Sequence, residues 1–165
     1  MRTAFIFLLV FLLFACKNSI TQNIVPLTDT VFSFVINDYY RESSKDSHSY
    51  SKEFSLKSGV LYYDYVYRGY PDDEEKHSQK QLNDSLISVI KIKLRELDLY
   101  KNYKKTFPID KTGMITESGY SFSIITDTSK YNIQVSGCRP IEIEDKVYDK
   151  LSEFYSFVNS LFPQN

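Results

Sequence analysis

The chain has 165 residues, of which 42% are hydrophobic and 25% charged, and its formal net charge is −1. This is the make-up of one ordinary globular domain, without the basic excess of a nucleic-acid binder or the acidic tail of a cation buffer. Aromatics are plentiful, with 14 Tyr and 12 Phe but no Trp, a bias toward strands and amphipathic surfaces rather than helical bundles.

The first element is an apolar run, Ala4 to Phe14, behind a short positive start at Met1-Arg2-Thr3 and ahead of Ala15-Cys16. It has the length of a signal peptide and falls short of the roughly 20 residues that span a bilayer. It is apolar on every side, whereas a core helix carries a stripe. Its end, Leu13-Phe14-Ala15-Cys16, resembles the lipobox of bacterial lipoproteins, with Leu three positions before the Cys and a small residue one before. Phe14 stands where that family uses a smaller residue. The resemblance implies that residues 1–15 are removed and that Cys16 becomes the acylated first residue. It also implies that several acyl chains hold the protein at a membrane, since one chain holds only marginally. Lys17 stands where an Asp would resemble an inner-membrane retention signal. The location implied is the bacterial cell envelope, at the outer membrane and facing the periplasm. The resemblance ends at Cys16.

Residues 16–30 are polar, contain Pro26 and show no periodicity; they read as a tether between lipid and domain. Residues 31–165 fit a single domain that buries around two thirds of its unfolded surface without a staple. With Cys16 acylated, only Cys138 remains, so no intramolecular disulfide is expected.

In chain order, Val31 to Tyr40 mixes β-branched and aromatic residues and reads as a strand, and Arg41 to Ser49 reads as a polar loop. Phe54 and Leu56 alternate with polar neighbours up to Ser58-Gly59, and Val60 to Arg68 returns, which is a hairpin. On the return, Leu61, Tyr63, Tyr65 and Tyr67 point one way and Val60, Tyr62, Asp64 and Val66 the other, the pattern of an interior strand. Pro71 to Gln81 reads as a charged linker whose Ser78 and Gln81 form a capping box for a helix over Gln79 to Leu99, striped by Leu82, Leu86, Ile90, Leu94 and Leu97. Pro108 and Gly113 mark a connection. Tyr120, Phe122 and Ile124, a turn at Asp127-Thr128-Ser129, and then Tyr131, Ile133 and Val135 predict a second hairpin. A final helix, Asp145 to Phe162, carries Val147, Leu151, Phe154, Val158 and Leu161, has acidic residues at its start and stops at Pro163.

The expected order is β-β-β-α-β-β-α. It predicts an α+β two-layer sandwich, an antiparallel sheet of about five strands with both helices on one face. Strands ending at Arg68-Gly69-Tyr70 and Ser136-Gly137-Cys138 each precede an acidic stretch and a striped helix, a weak echo that a duplicated ββα unit would leave but that does not demonstrate a repeat.

Motifs that carry chemistry are sparse. No GxSxG, HExxH, CxxC or glycine-rich phosphate loop occurs. Cys138 has Arg139 beside it, but His48 and His77 lie in polar segments that nothing in the sequence brings to it, so it reads as a packed thiol. Asp72-Asp73-Glu74-Glu75 with His77 lacks the ligand spacing of calcium or zinc sites and reads as a solvated run. No metal or cofactor is expected. The unusual feature is the tyrosine cluster Tyr62, Tyr63, Tyr65, Tyr67 and Tyr70, with Tyr39-Tyr40 on a neighbouring strand. Tyrosine serves both core packing and binding hot spots. The reading is a lipid-anchored, non-enzymatic domain that binds a protein or glycan of the envelope through this face, an inhibitor or immunity lipoprotein among the options. The alternatives are an envelope hydrolase with a carboxylate site and a structural subunit of an outer-membrane assembly.

Overall fold

The computed structural model describes residues 30–43, 48–69, 72–108, 115–137 and 145–162. The apolar leader, the tether up to residue 29, Cys16, Tyr70 and Cys138 lie outside the described residues. The fold is α+β, with a seven-stranded sheet and two helices. In chain order the elements are β1 (Phe32–Ser43), β2 (Ser49–Lys57), β3 (Val60–Arg68), β4 (Glu74–Gln81), α1 (Asp84–Glu96), β5 (Tyr103–Thr106), β6 (Ile115–Thr126), β7 (Lys130–Gly137) and α2 (Lys146–Ser160). Across the sheet the strands run β4-β3-β2-β1-β6-β7-β5. Every pair is antiparallel except β5 with β7.

Both hairpins form where the alternation places them. Ser58 and Gly59 have φ of 51° and 78°, the left-handed pair that a two-residue type I′ turn requires. The helices also cap as their sequences dictate. Asn83 accepts from the Leu86 N–H at 2.9 Å, and Asp145 accepts from the N–H groups of Val147 and Tyr148.

Several expectations are corrected, beginning with the sheet itself: it has seven strands rather than about five, and it is mixed rather than wholly antiparallel, because two edge strands without apolar alternation join it. The charged stretch after Pro71 is not a linker: Glu74–Gln81 is β4, paired along its length with β3. An edge strand buries neither face, so β4 shows no apolar alternation, and its charges blunt the open edge. The first helix therefore begins at Asp84 rather than Gln79, and Ser78 lies mid-strand, not at a cap. The segment Arg41 to Ser49 is not all loop, because β1 continues to Ser43 and β2 begins at Ser49. The short β5, absent from the expected order, pairs parallel to β7 through tertiary placement alone. With β4 between β3 and α1, the two units expected to be duplicates do not match: one has an extra strand.

Both helices pack on one side of the sheet. Strand alternation sends Phe34, Ile36, Phe54, Leu56, Leu61, Phe122, Ile124, Ile133 and Val135 to that side, and all are buried. They meet Ile90, Leu94 and Leu97 of α1 and its C-terminal end, and Leu151, Phe154 and Val158 of α2. Burying each large side chain contributes about 1.5–3 kcal/mol. The α2 helix crosses the sheet obliquely. At its start, Asp145 accepts from the Tyr103 hydroxyl at 2.6 Å and the Lys105 ammonium at 2.9 Å on β5. At its end, Phe162 packs on Phe54 and Tyr63. The α1 helix lies alongside, joined by Lys93 and Glu153 at 2.6 Å, and its Lys91 ammonium lies 5.0 Å over the Phe32 ring. The helix-side surface is thus apolar at the Phe32–Ile36 end of β1, and α2 crosses above its middle.

Candidate functional site: a tyrosine shelf with a half-buried carboxyl

Beyond Ile36 the same side of the sheet changes chemistry. Register sets two cross-strand rows there. One runs Tyr120, Asp38, Lys52, Tyr65, Lys76, and the next runs Tyr40, Tyr50, Tyr67. All the tyrosines in these rows except the buried Tyr120 are half-buried, as is Asp38. Rings stack along the outer row: Tyr40 and Tyr50 lie 5.7 Å apart with their planes 14° from parallel. His48, just before β2, stacks on Tyr40 at 5.2 Å and is held by Glu42 at 2.7 Å. From above, α2 contributes Tyr148 and Tyr155, 5.1 and 5.8 Å from the Tyr120 ring. The result is a shelf of phenol rings, walled on one side by α2.

Asp38 lies at the root of the shelf. It occupies an inward position of β1, in phase with Phe34 and Ile36, and pairs across strands with Lys52 and Tyr120. Burial pushes its carboxyl up to about 6, an effect only partly offset by the Lys52 charge. Burial also raises the phenols around it, and the Asp38 charge adds to this for Tyr50, pushed up to about 12, and for Tyr63, Tyr120, Tyr148 and Tyr155. These phenols stay neutral across the physiological range. The ammonium of Lys52 lies 4.8 Å over the Tyr50 ring and that of Lys76 lies 5.6 Å over Tyr65.

The opposite side of the sheet carries no helix among the described residues. Its central cross-strand row is Gln134, Ser121, Asn37, Glu53, Asp64, His77. His77 Nδ1 lies 2.6 Å from Asp64, a hydrogen bond that raises the imidazole above its usual range. Glu53 is raised by burial and by Asp64 beside it. An open groove of about 630 Å³, lined by Val35, Asn102, Lys104, Ser121, Ser123 and Gln134 among others, runs over this side near β5. It is shallow, and its lining mixes polar side chains such as Ser121, Asn132 and Gln134 with apolar Val35, Phe122 and Ile133.

The sequence-predicted face is therefore split. Tyr63, Tyr65 and Tyr67 belong to the helix side and Tyr62 to the opposite side, as the alternation predicts; Tyr70 lies outside the described residues. The acidic run does not gather around His77. Asp73 and Glu75 pair with Arg68, and Glu75 alone approaches His77, at 3.8 Å. His77 sits in β4 rather than a loop. Among the described residues no group of three or more His, Cys, Asp and Glu could hold a metal ion, and no helix is long and apolar enough to cross a membrane. Sequence reasoning missed Asp38, Tyr50, Tyr120, Tyr148 and Tyr155. One signal was present for Asp38: it is a charge at an inward position of an alternating strand. The convergence of the tyrosines needed the register and the path of α2. No protein-family model matches this chain, and a comparison with curated proteins finds no match.

Proposed function

We propose that this protein is a lipid-anchored, non-enzymatic domain of a bacterial envelope, held by Cys16, that binds another protein through the tyrosine shelf. The observation that carries the reading is the half-exposed group Tyr40, Tyr50, Tyr65 and Tyr67, set among Asp38, Lys52 and Lys76. Rings with few rotatable bonds supply contact area at low entropic cost, and mixed charges at their edges supply register. A protein partner fits better than a glycan, because Tyr40 and Tyr50 stack on each other and offer edges and hydroxyls rather than a flat platform. An inhibitor or immunity lipoprotein is the narrower form of this reading and rests on analogy between small anchored sandwiches.

Pull-down from detergent-solubilised envelope, with the wild-type chain and a Tyr65→Ser/Tyr67→Ser variant as baits, tests it. The expected result is a stoichiometric protein that the variant loses while keeping its thermal midpoint within a few degrees. Equal capture by both baits, or glycan without protein, overturns the assignment. Palmitate labelling tests the anchor separately: label that persists in Cys16→Ser contradicts it.

A further inference from the structure

Burial works against the ionised form of Asp38, and among the described residues only the Lys52 charge offsets it. Its carboxylate is half-buried, and among the described residues no group donates a hydrogen bond to it. Its cross-strand neighbour Lys52 makes no ion pair with it, lying instead over Tyr50. Among the described residues the sealed, unpartnered side-chain atoms of the interior belong to Arg95, not to Asp38. A buried acid without donors is destabilising, and side chains kept at such a cost concentrate at functional sites.

The surroundings specify what would satisfy it. Tyr50, Tyr63, Tyr120, Tyr148 and Tyr155 all lie within the field of its charge, and the faces of phenol rings attract cations. Two ammonium groups of the chain already exploit this chemistry, Lys52 on Tyr50 and Lys76 on Tyr65. A neutral hydroxyl donor would leave the carboxylate charge uncompensated. An ammonium or guanidinium supplies both the charge and several donors.

We propose that Asp38 and the surrounding tyrosines form a receptor for a basic side chain, a lysine or arginine presented by the protein partner. Lys52 is its resident competitor: it occupies a neighbouring ring face and its charge partly compensates Asp38. The groups that face Asp38 are Lys52 and Tyr50 from β2, Tyr63 and Tyr65 from β3, Tyr120 from β6, and Tyr148 and Tyr155 from α2. Burial holds Tyr50, Tyr63, Tyr120, Tyr148 and Tyr155 above the usual phenol range, so the pH response of the receptor belongs to Asp38.

This inference rests on the shelf being the partner-binding surface, but its test does not need the partner. The full chain in detergent micelles is titrated with n-butylammonium chloride, and with butanol in parallel, while the Asp side-chain carboxyl carbons and the tyrosine ring signals are followed by NMR. Butylammonium is expected to give saturable shifts at millimolar concentration and butanol none. Asp38→Asn is expected to weaken binding at least tenfold and Lys52→Met to strengthen it severalfold. Lowering the pH from 7.5 to 5 is expected to weaken it about tenfold, as the carboxyl at about 6 takes up its proton. Linear shifts shared with butanol, weaker binding in Lys52→Met, or affinity indifferent to pH would each overturn the receptor. The Lys52 and pH arms decide the matter even if the Asp38 variant folds poorly. A failed titration beside a successful pull-down removes the cation receptor and leaves the binding surface, and the reverse pattern removes the surface alone.

Discussion

The two halves of the helix side of the sheet are built by the same strands, in the same register and the same alternation, yet one is a dry core and the other a polar shelf. On β1 the switch takes one step of two residues, from Ile36, fully buried, to Asp38, half-buried. On β2 it is the step from Phe54 to Lys52, and on β6 from Phe122 to Tyr120. The α2 helix crosses at this boundary, with Phe154 on the Phe34 and Phe122 side and Tyr148 and Tyr155 at Tyr120. Backbone hydrogen bonding thus makes the sheet indifferently, and the side chains at inward positions decide which half is dry core and which is polar shelf.

The comparison is broken most severely at the dry half. Phe54→Ala empties a fully buried site touched by Tyr63, Tyr155 and Phe162, and is expected to cost about 3–5 kcal/mol in chemical denaturation. If it costs less than about 1 kcal/mol, that half is not the core.

Next is the joint that fixes where α2 starts. Burial pushes the Asp145 carboxyl up, but hydrogen bonds from Tyr103, Lys105 and the N–H groups of Val147 and Tyr148 outweigh it and hold the group at about 2. The folded value lies below the unfolded 3.8, so its contribution is present above that value and is lost as pH falls toward 2. Asp145→Ala is expected to cost about 2 kcal/mol at pH 7, and the difference from wild type should shrink when the melts are repeated near pH 2.5.

Asp38 behaves in the opposite sense. Its folded value of about 6 lies above the unfolded 3.8, so the group favours folding most at low pH and the advantage disappears as pH rises through 6. Asp38→Asn is therefore expected to stabilise the protein at pH 7.5, by about 1–2 kcal/mol, and to be neutral near pH 3.5. A variant destabilised at pH 7.5 would mean that the carboxylate has a structural partner. The smallest effect belongs to the outer row: Tyr67→Ser, half-exposed, is expected to change stability by less than about 1 kcal/mol, with loss of the captured partner as its only large consequence.

Much of this architecture is legible residue by residue. The turn at Ser58-Gly59, the facing of Tyr63, Tyr65 and Tyr67, the second hairpin and the final helix with its acidic start follow from spacing and turn chemistry. The misreadings share one cause. Strands β4 and β5 carry little apolar alternation because they lie at the sheet edges, so hydrophobic periodicity is blind to them. The leucine stripe suffered the converse error: Leu82 is buried, but it lies in the connection before α1, not on the helix.

By itself the sequence determined the local elements, the inward and outward sides of the strands and the two faces of the tyrosine strand, because these depend on contacts between near neighbours. Only the tertiary structure decided that β5 pairs with β7, that α2 crosses the sheet between Phe34, Phe122 and Tyr120, and that the Asp38 charge acts on tyrosines from β2, β3, β6 and α2. Those outcomes hang on strand order and helix path, which are settled by the packing of surfaces distant in the chain.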